Sequence, residues 1–338
     1  GLSFYIFHAI SYLIDIYRKE ALPARNLIDF SAFIALFPHL VAGPVLRYHL
    51  LAEQFHHRVH SWSNFSRGCT IFMVGFCKKV LIADTVAPLA DAAFAIKNPS
   101  MMDAWLGTIA YTIQLFFDFS GYTDMAIGLA LMIGFVFPQN FNDPYTSKSI
   151  TEFWQRWHMS LSSWLREYLY IPLGGNKKGT RRTYINLFLT MLLGGLWHGA
   201  NWTFVVWGAW HGGILAIERY LKSKFGDSIL PSWLRIIKTM LLVMIGWIFF
   251  RAIDLDNALQ MLRGLIGLNG FDFSNMMQWQ IEPDRLGILF VAIFLVYAMP
   301  WLHRYRGGPM RYLLIPLFFW AVATLSAQNF TPFLYFQF

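Results

Sequence analysis

Charge is what this chain has least of. Of its 338 residues only 14% are Asp, Glu, Lys or Arg, against 56% hydrophobic and 18% aromatic. Soluble domains carry about 25% charged residues, so a water-facing surface cannot be covered. Disorder is excluded for the same reason, because a chain this apolar collapses. Two cysteines exclude a disulfide scaffold and a four-cysteine zinc site. Acidic residues are scarcer than basic ones, 19 against 27, for a net charge of +8. The basic residues sit in short clusters between apolar runs rather than on one stripe, which argues against a nucleic-acid partner. Nucleophile elbows, Walker loops and dinucleotide fingerprints are absent, as are internal repeats. The glycine-rich Gly174-Gly175-Asn176-Lys177-Lys178-Gly179 lacks the GxxxxGK[ST] pattern and reads as a cytoplasmic turn that could also meet an anionic donor. What remains is an all-α polytopic membrane protein.

The apolar runs give that reading its detail, since a hydrocarbon core needs roughly 20 apolar residues per helix. Charge-free runs of about that length cover 30–46, 125–142, 286–303 and 312–338, with a further span over 240–250. The stretch 183–217 is long enough for two helices and breaks at Gly199-Ala200-Asn201. Two other spans are interrupted by charge: 68–95 by Lys78 and Lys79, and 104–137 by Asp118 and Asp124. Lipid-exposed charge is costly, so these read as kinked helices packed inside protein or lining a cavity. The chain begins at Gly1 inside an apolar segment, and the expectation is one membrane-embedded domain over 1–338 preceded by further spans.

Basic clusters set the orientation through the positive-inside rule. Lys177, Lys178, Arg181 and Arg182 mark one cytoplasmic loop, Arg219, Lys222 and Lys224 a second, and Arg304, Arg306 and Arg311 a third. The acidic stretch 254–284 belongs outside. The net charge is thereby explained as topology.

Ten histidines are present, and most read as ordinary. His56, His57 and His60 lie in a polar stretch between spans. His8, His39, His49 and His303 lie near span ends. Three others stand apart. His198 sits in Leu193-Gly194-Gly195-Leu196-Trp197-His198-Gly199, where glycine permits close approach of a backbone or ligand and Trp197 supplies a wall. An imidazole at membrane depth is costly unless it faces a cavity or a partner, which makes His198 a functional candidate. His158 lies in 149–170, where Phe153, Trp157, Leu161, Trp164 and Tyr168 repeat along one helical stripe. That helix lies in the interface plane or packs among spans, with His158 beside Trp154. His211 lies within the returning span. No carboxylate or cysteine has ligand spacing to these histidines, so no metal is expected. Asp118, Ser120, Tyr122, Thr123 and Asp124 place polar groups between two apolar half-helices, a pattern that lines a cavity or serves as helix caps. Cys69 and Cys77 read as packing residues.

Several blocks carry a resemblance. FPHLVAGPVLRY (37–48), KKVLIAD (78–84), DFSGYTDMAIGLALMIGF (118–135), the long block 141–179, LLGGLWHGANWTFVVWGAWHG (192–212) and the terminal FLYFQF closely resemble the membrane-bound O-acyltransferase superfamily, in its bacterial branch of alginate O-acetyltransferases and D-alanyl-lipoteichoic acid transferases. The resemblance implies a helical bundle around a central funnel, with kinked and re-entrant helices and a histidine at the funnel's floor. His198 matches the family's catalytic histidine, and His158 its second histidine near the active-site tunnel. The family usually has two basic residues before that Trp-His; here the first position is the neutral Gln155 and only the second, Arg156, is basic, a departure that bears on any phosphate-contact role of the first. Trp197, Asp118, Tyr122, Asn142, Arg156 and Trp154 are the expected substrate-path residues.

The chemistry expected is acyl transfer to a hydroxyl in the bacterial inner membrane. A hydroxyl is a poor nucleophile near neutral pH, so a base within hydrogen-bond reach must take its proton. His198 fits that role, with Asp118, Asn142 or Asp143 orienting it or lining the route. The donor is acetyl-CoA or another acetyl thioester on the cytoplasmic side, and no bound cofactor is expected. The acceptor is an exported polysaccharide, reached directly or through a periplasmic acetyltransferase partner. Loop 254–284 and the tail 330–338 are possible docking surfaces. Alternatives are a D-alanyl transferase for a cell-wall polymer, or a membrane transporter built on broken helices with buried carboxylates.

Overall fold

The computed structural model describes residues 2–39, 43–226, 228–302 and 310–327, which form helices and connecting turns with no strand among the described residues. His303, Arg304, Arg306 and the aromatic tail 330–338 lie outside them. The chain opens with α1 (Leu2–Tyr17) and α2 (Leu27–Ala35), the latter capped by the Asn26 side chain. A 3-10 turn at Phe37–His39 and an extended run lead to the short α3 (Tyr48–Leu51). Next come α4 (Trp62–Cys77), a π-helical turn at Lys78–Ala83, and α5 (Asp84–Ala95). A capping box of Ser100 and Asp103 starts α6 (Met101–Met132), whose 32 residues extend roughly 48 Å at 1.5 Å per residue.

Beyond α6 lie α7 (Ile150–Arg156), α8 (Met159–Leu165) and a second π turn at Arg166–Tyr170. The hairpin α9 (Thr180–His198) and α10 (Trp202–Phe225) follows, then α11 (Ser232–Arg251), α12 (Leu255–Leu265), α13 (Asn275–Gln278), α14 (Pro283–Leu302) and α15 (Met310–Ala327). By length and composition, Ser232–Arg251 and Pro283–Trp301 can each cross a bilayer. The main core gathers side chains from α5, α6, α7, α10, α11, α12 and α14.

Glycine decides how the longest helices meet. A Cβ on Gly68 would lie 2.6 Å from the Gly128 carbonyl oxygen, and one on Gly128 2.6 Å from that of Gly68. Gly75 and Gly121 face each other in the same reciprocal way. α4 and α6 therefore run antiparallel in backbone contact, as small residues allow between membrane helices. A Gly121→Leu substitution is expected to force them apart and lower the melting temperature in detergent markedly. Gly213→Ala is the control, because nothing lies within 4 Å of its added Cβ. Equal melting temperatures for the two variants would contradict the contact.

The structure corrects several expected elements. The expected runs 125–142 and 104–137 are one continuous helix that stops at Met132, so Asp118 and Asp124 do not separate two half-helices. Continuity is possible because lysines from the facing π turn meet those carboxylates. Lys79 Nζ lies 2.5 Å from Asp84 Oδ1 and 2.7 Å from Asp118 Oδ1, and Lys78 Nζ lies 2.6 Å from Asp124 Oδ2. The irregularity expected over 68–95 is that π turn. The run 30–46 is not one span, since α2 ends at Ala35 and gives way to the 3-10 turn and extended chain.

Candidate active site

The α9–α10 hairpin turns where the Gly199-Ala200-Asn201 break is expected. Asn201 caps α10 by accepting from the Thr203 N–H at 3.1 Å, and its Nδ2 donates to the Ile253 carbonyl at 2.8 Å, tying the hairpin tip to the end of α11. Glycines bring the two helices together. A Cβ on Gly195 would collide with the Phe204 carbonyl, and one on Gly208 would lie 2.6 Å from that of Met191. The glycine before Trp197 thus serves helix packing.

His198 is the last residue of α9, half-buried among rings. Ring centroids of Trp197, Phe250 and Trp207 lie 4.8, 4.9 and 5.1 Å from its own. Trp197 stacks in turn on Phe7 of α1 at 4.8 Å.

His158 is not on a continuous helix. The expected helix 149–170 breaks after Arg156, and His158 takes a left-handed conformation, φ 44° and ψ 54°, before α8. The conformation is uncommon for non-glycine residues, and among the described residues Lys19 and Asp143 share its positive φ. The stripe residues Phe153, Trp157, Leu161, Trp164 and Tyr168 are all buried, so the segment packs within the protein and does not lie in the interface plane. His158 Nδ1 lies 3.1 Å from Asn140 Oδ1, and its ring meets Phe119 edge-on at 4.7 Å.

A wall of aromatic rings connects His158 to His198, through Phe119, Trp157, Trp247 and Trp207. Trp157 packs 5.0 Å from Trp247, and Trp207 lies 5.6 Å from Trp154 and 5.1 Å from His211. The Trp154 indole N–H donates to His211 Nδ1 at 3.4 Å, so a neutral His211 carries its proton on Nε2. Gly246 makes room for that nitrogen, since a Cβ there would lie 2.5 Å from it.

The other expected path residues divide. Trp154 joins the wall. Asp118 lies in the Lys79 ion-pair cluster, and Tyr122 is half-buried against the main core. Arg156 pairs with Glu152 at 2.6 Å and donates to Thr146 Oγ1 at 3.2 Å. Asn142 is exposed, and its backbone N–H donates to the Arg156 carbonyl at 2.9 Å. The buried amide at the site is Asn140, two residues earlier, which sequence reasoning passed over. Glu218 was also missed: from α10 its carboxylate accepts the N–H groups of Ile150 and Thr151 at 2.9 and 3.0 Å, capping α7 from 67 or more residues away. Nothing local announces such a cap.

His8 and His39 are fully buried, edge to face at 4.5 Å, and not at exposed span ends. Asp15, Glu20 and His49 bring ligand-type atoms within 4.8 Å of one another. Both Asp15 oxygens, however, already accept hydrogen bonds, from Tyr168 at 2.5 Å and from His49 at 2.8 Å.

Comparison with known proteins gives a consistent picture. Residues 18–255 match the model of MBOAT, the membrane-bound O-acyltransferase family. The chain is 49% identical, over all of its own length and 75% of the relative's, to "Probable alginate O-acetylase AlgI" of Azotobacter vinelandii. To the protein of the same description in Pseudomonas putida it is 51% identical, over all of this chain and 74% of that one. A peptidoglycan O-acetyltransferase of Helicobacter pylori is 36% identical over 89% of this chain and 63% of its own. A teichoic acid D-alanyltransferase of Bacillus subtilis is 30% identical over 66% of this chain and 59% of its own.

Proposed function

The chain belongs to the membrane-bound O-acyltransferase family, and from that premise we propose that it moves an acetyl group from a cytoplasmic thioester, acetyl-CoA or a related donor, to a hydroxyl of an exported polysaccharide or of a periplasmic partner that modifies one. The observation that carries this reading is identity of about half across the whole chain to proteins described as alginate O-acetylases. Relatives described as D-alanyltransferases match at 30% over 66% of the chain and weigh less. The protein works as a multi-pass enzyme of the bacterial inner membrane, with His198 between the two faces.

In the reaction, the His198 imidazole takes the proton of the acceptor hydroxyl as its oxygen attacks the thioester carbonyl. The carbon–sulfur bond then breaks, the thiolate leaves, and the imidazolium returns the proton to sulfur. The rings of Trp197, Trp207 and Phe250 exclude water, which would otherwise hydrolyse the thioester. His158 lies at the other end of the aromatic wall as a second buried polar group.

Membranes containing the protein, supplied with labelled acetyl or labelled D-alanyl donors, test the reading. Acetyl label is expected in surface polysaccharide and D-alanyl label is not; the opposite pattern would reassign the enzyme to the D-alanyl branch. A second test concerns the α7 cap. Removing the Glu218 carboxylate as Glu218→Ala is expected to cost roughly 1–2 kcal/mol of local stability, the usual worth of a helix cap, and to slow transfer several-fold. Glu218→Gln, which keeps one accepting oxygen, is expected to lie between. A transfer rate unchanged in Glu218→Ala would show that α7 needs no tether.

A further inference from the structure

We infer that Asn140 is a positioning residue that locks His158 in one tautomer, with the proton on Nδ1 and the lone pair on Nε2. The inference rests on the reading of His158 as part of the acyl-transfer site.

The assignment follows from counting donors. The Ser160 backbone N–H, which can only donate, points at Asn140 Oδ1 at 3.1 Å, so that atom is the amide oxygen. The Ser160 hydroxyl receives the Val45 N–H at 2.8 Å and therefore turns its own proton to the same oxygen, also 2.8 Å away. His158 Nδ1 makes the third contact, at 3.1 Å, and since an amide oxygen only accepts, Nδ1 carries a proton. The hydroxyl is 3.5 Å from Nδ1, but its proton is already committed. A neutral His158 thus presents a bare Nε2, the form that can accept a proton. Asn140 Nδ2 has no partner among the described residues, so the side chain works through its oxygen.

The backbone repeats the message. The Met159 N–H donates to the Asn140 carbonyl at 2.9 Å, and the Ser162 N–H to the His158 carbonyl at 3.0 Å, which together hold the left-handed residue in place. One residue therefore sets both the turn that aims the imidazole and the nitrogen that holds its proton. Val45 extends the network to the connecting run 43–47, whose next N–H, that of Leu46, donates to His8 Nε2 at 3.2 Å.

Nitrogen NMR of the full protein, histidine-labelled with ¹⁵N in lipid bilayers, reads the tautomer directly. The His158 signals are those lost in His158→Gln. Wild type is expected to show a protonated Nδ1 and a bare Nε2, and Asn140→Leu a mixture or the reverse. Transfer by Asn140→Leu is expected to fall about 10- to 100-fold, the usual effect of losing the outer partner of a functional histidine, in kcat rather than in the donor KM. Asn140→Asp keeps an accepting oxygen and is expected to retain the Nδ1–H signal and most of kcat. A wild-type His158 protonated on Nε2 overturns the inference, as does a folded Asn140→Leu with Nδ1–H and kcat unchanged. If Asn140→Leu does not fold, the wild-type and Asn140→Asp spectra still decide. Absence of acetyl transfer by the wild type would instead overturn the proposed function and leave the tautomer result standing.

Discussion

Replacing His198 with alanine is expected to lower acetyl transfer about 10²–10⁴-fold, the usual contribution of a general base. Trp197, Trp207, Phe250 and Phe204 are among the rings that His198 meets. These residues also pack on one another and on the helices behind them, so the hairpin tip survives the truncation. The variant should reach the membrane at wild-type abundance, and mass spectrometry of surface glycans should find them unacetylated. His198→Gln separates shape from chemistry, because it restores bulk and a polar atom but no base. Near-normal acetylation by His198→Ala would end the assignment. His158→Ala is expected to be impaired too, though less severely, and an unchanged rate there would leave His158 a packing residue at a turn.

The second large effect concerns the charges between α6 and the preceding π turn. Lys79 is shared by Asp84 and Asp118, whose side chains are 6% and 2% exposed. Removing one partner of a buried ion pair typically costs 3–5 kcal/mol, because the remaining charge has no water to return to. Lys79→Met is therefore expected to destabilise the protein by about that much, seen as a large drop in melting temperature and faster amide exchange through α5 and α6. Combining it with Asp118→Asn should recover part of the loss. A Lys79→Met protein as stable as wild type would mean that these carboxylates are satisfied without the lysine.

These two sites also separate what the sequence reveals from what it hides. The hairpin around Gly199, the polar histidine at its tip and its tryptophan neighbour are legible, because each depends on residues within a few positions of one another. The all-helical class is legible from apolar runs alone. The Lys79 cluster is not, since an interrupted run looks the same whether its aspartates line a cavity or meet lysines 39 and 46 positions away. Nor is the break at His158. The Phe153–Tyr168 stripe is a sound helical pattern, and a distant turn overrides it through Asn140. The resemblance points to Asn142 as a path residue, while Asn140, two residues earlier, does the bonding. His8 and His39 show the same limit, as their burial depends on segments that no local pattern brings together.

The facing glycines of α4 and α6 also restrict how the enzyme can move. On each helix they are seven residues apart, 68 and 75 against 121 and 128, so the notches coincide at one register only. A slide of one helical turn, about 5.4 Å, would bring side chains into every notch at once. The two helices form a dovetail joint that tolerates neither shear nor ratcheting. Any opening and closing during turnover must then fall to the elements outside that joint.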